Sequence, residues 1–578
     1  MTISNRYVPD SGPEDSPILF VGEAPGENED EQLIPFVGAS GDKLISCLGR
    51  NGLAREDVRL ANLCHYRPFG NKFETLLTST QLKNGIDELH KYIARTKPNV
   101  ICAMGAYPLE YLTGKKGITR WRGSILPYVN DASIKVIPTF HPAYILRSPT
   151  DFPIFDFDIR RVIEDSKFRE FKLPEREYVI LEAGLEMEEW TQKLENAEIL
   201  SVDIESVKKS THILCVGFSA DPKVGVCYPM GTTQAQQSIA RLLSSRARKV
   251  FQFGTFDTIM LSLNGFNTEN YSFDTLLAQH VMNPELPRSL GFLTSIYTRQ
   301  PYYKSEGRGS IPGDVKSWSA KANRRELYEY NCKDVCVTLE IALEQEKEIN
   351  SDPDWTRLFK FEMEQTELVK EMALAGLPVD LERREIIELL LLEKWQKKQF
   401  ALDRLTGYET NVNSPKLKDI LYDKLKFPPR RNRDAGLTTD EDAIVSLITY
   451  CKSHLETLKR PDAILDWQVK SAILSTILEI RGIRKLLSTY IKAKIFEPTG
   501  RLHSTPKIGG TETARYSFSQ FVDKSGLNAQ TFPREVLEVS DDFIAYAQQH
   551  RINLSELSKA AEIDALKEQN LDEENEGE

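Results

Sequence analysis

Five residues in the middle of this 578-residue chain have the types and spacing for phosphoryl chemistry. Asp203 and Glu205 stand two apart in "SVDIES". Side chains alternate along an extended strand, so both carboxylates face the same way. Asp257 follows in "FQFGTFDTIML", and Tyr330 and Asp334 in "YEYNCKDVCVTLEI" are four apart, which places them on one side of a helix. Four carboxylates gathered in one site repel one another unless divalent cations occupy it, and phosphodiester cleavage is a reaction that a pair of such cations serves well. Asp203, Glu205, Asp257 and Asp334 are therefore the expected metal ligands, with two Mg²⁺ or Mn²⁺ ions as cofactors.

A single D-x-E is uninformative, since acids on exposed faces are common. A strand carrying "DIE", an "FD" about fifty residues on and then Y-x-x-x-D form a far more specific series. In that order the motifs resemble the DEDDy proofreading 3′–5′ exonucleases over residues 178–350. The intervening "SFDTLLAQHVMNPELPRSLGFL" is similar to the polymerase-linked members. The resemblance implies an RNase H-like domain, metal ligation by the four acids and a Tyr330 hydroxyl that orients the attacking water. One position departs: members often carry Asn in "HNxxFD", and here Phe253 stands in that place.

A second group of residues precedes this one. "PILFVGEAPGENEDEQLIPFVG" runs from an apolar strand into a Gly/Pro-rich loop, where an α/β sheet presents its ligand. "ANLCHYRPFGN" and "HPAYILR" follow after later strands. Together they resemble the uracil-DNA glycosylase superfamily, nearest to its family 4 branch. The resemblance implies base flipping and stabilisation of a departing uracil anion. Carried over by position, Gly22, Ala24 and Pro25 back the flipped nucleotide, and Glu23 positions water. Phe36 stacks on the base, Asn62 reads its polar edge and His141 bonds the anionic oxygen. Tyr144 and Arg147 belong to the loop that enters the duplex. Family 4 enzymes usually hold an iron–sulfur cluster on four cysteines, one in a "KCRP"-type motif. Here that motif reads His65-Tyr66-Arg67-Pro68, and the domain has only Cys47, Cys64 and Cys102. No iron–sulfur cluster is expected.

"VNSPKLKDILYDKLKFPP", "ILEIRGIRKLLSTYI" and "TGRLHSTPKIGGTETARYSF" resemble, in order, the thumb and palm entrance of family A DNA polymerases. "GLNAQTFPRE" is similar to the family's "NLQNIPRE". Lys485, Thr489, Tyr490 and Arg515 then hold primer–template phosphates, with Ala514 where the family has glycine. The family's aspartate-bearing palm motifs and its fingers helix do not follow in this sequence. The expectation is the N-terminal portion of a phage-type family A polymerase, split from a separately made palm–fingers chain. Its partners are primer–template DNA and the single-stranded 3′ end. Two other readings stay open: a non-catalytic DNA-binding subunit, and a stand-alone repair nuclease-glycosylase.

These motifs need a scaffold, and the sequence supplies two textures. Short apolar strands alternate with helical stretches to about residue 350, and long helical periodicities follow from Trp355. The expected fold is multidomain α/β plus α. It comprises a parallel glycosylase-like sheet over 1–166, a linker over 167–177, the exonuclease domain over 178–350, a mostly helical thumb and palm start over 351–534, and an acidic, partly disordered tail over 535–578. The net charge of −11 lies almost wholly in that tail, where 13 acidic residues face 3 basic ones. The body is near neutral with local basic clusters, "KSWSAKANRR", "KFPPRRNR" and "IRKLLSTYIKAK", which suits contact with phosphates. Eight scattered cysteines give no disulfide framework or zinc site, and no apolar run reaches membrane-spanning length. A cytoplasmic protein is expected, in the host cytoplasm if the source is viral.

Overall fold

The computed structural model describes residues 3–304, 321–432 and 436–531, without the side chains of 321–323. The acidic tail, the end of "GLNAQTFPRE", the first half of "KSWSAKANRR" and Arg433 of "KFPPRRNR" lie outside the described residues. The chain is multidomain α/β plus α. It divides into two compact units, residues 3–371 with 506–517, and residues 372–505 with 518–531.

The first unit contains two sheets. Strands β1 (Ile18–Gly22), β2 (Arg59–Asn62), β3 (Val100–Met104), β4 (Leu126–Tyr128) and β5 (Asp131–Thr139) form the first, in the order β2-β1-β3-β5-β4. All neighbours are parallel except β4, which runs antiparallel to β5. "ILFVG" and "VICAM" are buried along their whole length, as a sheet covered on both faces requires. Alternate residues feed opposite cores. Ile18, Phe20 and Cys102 pack with Leu44, Leu48, Phe155 and Ile159, whereas Leu19, Val21 and Ile101 pack with Leu82, Leu89 and Ile93. Each such side chain contributes about 1.5–3 kcal/mol on burial.

The second sheet is built from β6 (Glu177–Ile180), β7 (Ile199–Ser206), β8 (Ile213–Asp221), β9 (Val224–Pro229), β10 (Arg248–Phe251) and β11 (Tyr271–Asp274). Its order is β11-β10-β7-β8-β9-β6. The β7–β8–β9 meander is antiparallel, and β10 and β11 continue it in parallel, giving the RNase H-like arrangement. The long helix Lys321–Asn350 packs across this sheet through buried Cys332, Val335 and Leu339.

The second unit is mainly helical. Helices Leu381–Thr406, Glu441–Thr457 and Pro461–Lys485 enclose Leu402, Ile444, Leu447, Ile473, Leu474, Ile477 and Ile480. Asp380 and Asp440 cap the first two, accepting from the backbone N–H groups of Arg383 at 2.9 Å and Ala443 at 2.8 Å. Among the described residues no helix is long and apolar enough to cross a membrane.

Candidate active sites

Strand β7 carries Asp203 and Glu205 on one face, and helix Lys321–Asn350 brings Tyr330 and Asp334 to it. Ligand oxygens of Asp203, Glu205 and Asp334 lie within 4.8 Å of one another, a hard-oxygen donor set that fits a divalent cation. Asp257 stands beside this trio rather than in it. Its Oδ1 accepts from the backbone N–H of Ile204 at 3.2 Å, in the middle of β7. Burial and the neighbouring Asp334 charge push the Asp203 carboxyl up to about 7. Burial first, then Asp203, raise Glu205 and Asp257 well above the usual carboxylate range. Buried carboxyls raised by desolvation and by one another are groups that a divalent cation would stabilise in their charged form.

Three residues outside the expected set organise the cluster. Asn331 donates to Asp203 Oδ2 at 2.8 Å. The Tyr303 hydroxyl donates to Asp334 Oδ1 at 2.6 Å, and Lys304 Nζ reaches Asp334 Oδ2 at 2.5 Å and the Tyr330 hydroxyl at 2.9 Å. Phe253, in the place where the exonuclease pattern has Asn, adopts φ +61°, a left-handed conformation in which Asn is enriched. Asp274 secures that turn by accepting from the N–H groups of Phe253 at 3.2 Å and Gly254 at 2.8 Å.

A second site lies at the carboxyl ends of four adjacent parallel strands of the first sheet, where open α/β sheets bind ligands. Gly22 ends β1 opposite Asn62 at the end of β2, Gly105 follows β3, and His141 follows β5. A Cβ on Gly22 would stand 2.5 Å from Asn62 Oδ1 and 2.7 Å from Phe36, so only glycine lets those two close on the loop. A Cβ on Gly105 would stand 2.6 Å from Glu23 Oε1 and 3.4 Å from His141 Cβ, so the bare glycine lets both residues approach the end of β3. Phe36 is held at φ +54° by Glu29, which accepts its N–H, and by Arg55, which donates to its carbonyl at 3.0 Å. Ala24 is half-buried and Pro25 buried in the connecting loop.

Glu23 is pushed up to about 7, by burial and then by Glu74, against a bond from the Tyr107 backbone N–H. Burial, with Arg147 nearby, holds His141 down to about 4, so its ring is neutral at pH 7. Its Nδ1 accepts from the Ala143 N–H at 3.2 Å, which leaves the proton on Nε2 as a donor. Tyr144 donates to Asp151 at 2.6 Å, and Arg147 is exposed at the end of the same short helix.

The three thiols of this domain do not fit a cluster. Cys47 and Cys102 lie in one core and Cys64 in the other, on opposite faces of the sheet. Burial pushes the Cys47 thiol up to about 12 and raises Cys64 and Cys102, disfavouring the thiolates that ligation needs. Tyr66, in the family's cysteine position, packs edge-on against Tyr7 at 5.7 Å.

In the second unit, Lys485 closes helix Pro461–Lys485, and Thr489 and Tyr490 sit in the turn Leu486–Ile491. Arg481, Arg484, Lys485 and Ser488 line an open cationic depression with Asn413. Arg515 belongs to the segment 506–517 of the first unit, where it is exposed. There the Arg515 N–H donates to Thr511 Oγ1 at 3.1 Å, closing a tight loop. Ala514 in that loop takes φ +56°, the left-handed region that favours the glycine of the polymerase pattern.

Comparison with known proteins matches residues 9–165 to the uracil DNA glycosylase superfamily and residues 178–350 to a 3′-5′ exonuclease family. A type-4 uracil-DNA glycosylase of Thermotoga maritima is 38% identical over 154 residues, 26% of this chain and 73% of that protein. DNA polymerase I of Geobacillus stearothermophilus is 24% identical over 263 residues, 45% of this chain. The match spans only 27% of the polymerase's own length. The POL domain of Pol1 from M. smegmatis, solved with DNA primer-template and dNTP, aligns over 62% of this chain and 56% of that one, at 18% identity and a TM-score of 0.44.

Proposed function

The chain belongs, through residues 9–165, to the uracil-DNA glycosylase superfamily, and from that premise we propose that it acts on DNA in replication and repair at two separate sites. The principal activity is 3′–5′ exonuclease of the DEDDy type, acting in proofreading. The observation that carries it is the convergence of Asp203, Glu205 and Asp334 within 4.8 Å. Divalent cations, Mg²⁺ in the cell, supply charge neutralisation and activation of water for phosphodiester hydrolysis. Asp203, Glu205 and Asp334 hold them with Asp257 alongside, and the Tyr330 hydroxyl orients the attacking water.

A second activity, uracil excision, is favoured by the approach of both Glu23 and His141 to Gly105 at the end of β3. Phe36 stacks on the extruded base, Asn62 reads its edge, and the loop Gly22-Glu23-Ala24-Pro25 backs the nucleotide, while Tyr144 and Arg147 hold the opened duplex. As the N-glycosidic bond breaks, the electron pair leaves with the base. His141 Nε2–H donates to the anionic oxygen, and ionised Glu23 positions water at the sugar.

Lys485, Thr489, Tyr490 and Arg515 grip primer–template phosphates. Nucleotidyl transfer is assigned to a separate palm–fingers chain of a phage-type split polymerase, and recovery of such a chain with this one from its source cells tests that assignment. The activities themselves are tested on end-labelled primer–template containing one uracil, with and without Mg²⁺. Stepwise 3′ shortening that needs the metal and vanishes in Asp203→Ala supports the exonuclease. A metal-independent, alkali-labile break at the uracil supports excision. DNA binding with neither product would make the chain a non-catalytic subunit.

A further inference from the structure

Residues 295–304 are held at one end by the glycosylase-like domain and reach the exonuclease carboxylates at the other. Ser295 Oγ accepts from Arg122 at 2.8 Å, and the Ile296 carbonyl from Arg161 at 3.0 Å. Arg299 forks onto buried Asp165 at 2.7 and 3.0 Å. Tyr302 donates its N–H to Ser124 Oγ at 3.1 Å and sets its ring edge-on to Trp121 at 5.5 Å. The next two residues belong to the other site. Tyr303 and Lys304 both bond Asp334, and Lys304 also bonds the Tyr330 hydroxyl.

We propose that the glycosylase-like domain completes the exonuclease site by positioning Lys304, an internal cation that holds Asp334 and Tyr330 in register. The proposal rests on the exonuclease reading. An exposed lysine–carboxylate pair is worth little, because its long side chains are free to leave. Here the lysine side chain is 15% exposed and has two oxygen partners, and its neighbour Tyr303 is 1% exposed. An incoming divalent cation must share Asp334 with that lysine, so Lys304 holds the site in shape at the cost of cation affinity. Its address depends on Ser124 and Trp121, more than 170 positions away in sequence.

The test is calorimetric titration of the full chain with Mn²⁺, beside the rate of 3′ nucleotide release at saturating Mn²⁺. Lys304→Met is expected to bind Mn²⁺ about tenfold more tightly, because a competing charge a few ångströms away is gone. Its release rate falls, since Tyr330 loses the Lys304 bond. Lys304→Arg keeps the charge and stays within about twofold of the parent in Mn²⁺ affinity. The double variant Trp121→Ala/Ser124→Ala, wholly in the first domain, is expected to shift both quantities in the direction of Lys304→Met. Simple loosening of the fold would weaken Mn²⁺ binding instead. Parent-like affinity and release in Lys304→Met overturn the proposal, as does a first-domain variant that leaves both unchanged. Should the parent bind Mn²⁺ yet release no nucleotide, the exonuclease reading fails on its own, while the affinities still decide the role of Lys304.

Discussion

Asn331 donates from Nδ2 to Oδ2 of Asp203 at 2.8 Å and, from the same nitrogen, to the Asp203 carbonyl at 3.1 Å. The pair joins the helix Lys321–Asn350 to β7 at the residue around which the carboxylate cluster is arranged. Asn331 is fully buried, so its amide has no water to fall back on. Replacement by leucine, of similar volume, removes the donor and lets the Asp203 carboxylate rotate. Loss of such a supporting bond behind a metal ligand typically costs about 10- to 100-fold in activity or metal affinity. We expect Asn331→Leu to lower Mg²⁺-dependent 3′ release by that factor while leaving uracil excision unchanged. Asn331→Asp, which adds a like charge beside Asp203, is expected to lose more. Parallel assays of the two activities on one preparation measure this.

The first site has its own pH signature. Burial and Glu74 push Glu23 up to about 7, and the ionised form is the one that positions water. A raised carboxyl is protonated over a wider range, so excision is expected to rise with pH through about 7 and to fall below it. His141, held down to about 4, stays neutral throughout and adds no second limb. Glu74→Gln removes the second cause of the shift and is expected to move the midpoint to lower pH. The same shift acts on stability with the opposite sense. Glu23 contributes stability below its unfolded value of 4.5 that is lost as pH rises through about 7. Single-turnover uracil release against pH, for the parent and Glu74→Gln, checks the assignment; an unmoved midpoint would remove it.

Arg122 and Asp158 form a buried pair beneath the same domain. Arg122 Nε lies 2.9 Å from Oδ2, Thr139 donates to that oxygen at 2.8 Å, and the pair is almost wholly shielded from water. A buried pair is a weak source of net stability, yet removing one partner strands the other charge, at about 3–5 kcal/mol. Asp158→Ala is expected to lose that much in chemical denaturation. Arg122→Met/Asp158→Leu, which removes both charges, is expected to recover most of it. Equal losses in the single and double variants would show that packing, and not the stranded charge, is what matters.

Legibility of these sites in the sequence follows from how each residue is positioned. Asp203 and Glu205 were readable because strand alternation alone puts them on one face, and Tyr330 and Asp334 because helical spacing does the same. Asn331 sits inside that motif, but its neighbour relation to Asp203 crosses from helix to sheet and leaves no periodic trace. Tyr303 and Lys304 lie outside helix and strand, where no periodicity operates, and residues 121–124 fix their position. The α/β texture of the first domain was legible from apolar runs and their spacing, and the RNase H-like arrangement only through the resemblance that the acidic motifs carry. Gly105 was visible only as a glycine after a strand, because what it makes room for, Glu23 and His141, comes from two other strands. The left-handed Phe36 and its Glu29–Arg55 support had no sequence signal beyond the residues themselves.

The exonuclease carboxylates also predict how metal and pH trade against stability. Asp203 is raised from 3.8 to about 7, chiefly by burial and then by Asp334. The folded chain therefore holds a proton that the unfolded chain has released between those two values. Stability contributed by that proton is present below about pH 4 and is lost as pH rises toward 7. In chelator, the thermal midpoint is expected to fall across that window, and Asp203→Asn, which cannot ionise, is expected to flatten the fall. Above pH 7 the carboxylate is charged and ready to take a cation, so Mg²⁺ or Mn²⁺ should restore what ionisation removed. At a hundredfold excess over Kd the gain is about 2.7 kcal/mol. It should be small at pH 5, where protons occupy the ligand oxygens, and largest near pH 8. Thermal melts of parent and Asp203→Asn, with chelator or Mn²⁺ at the two pH values, decide it: a cation gain that does not grow with pH would mean that these carboxylates are not the site.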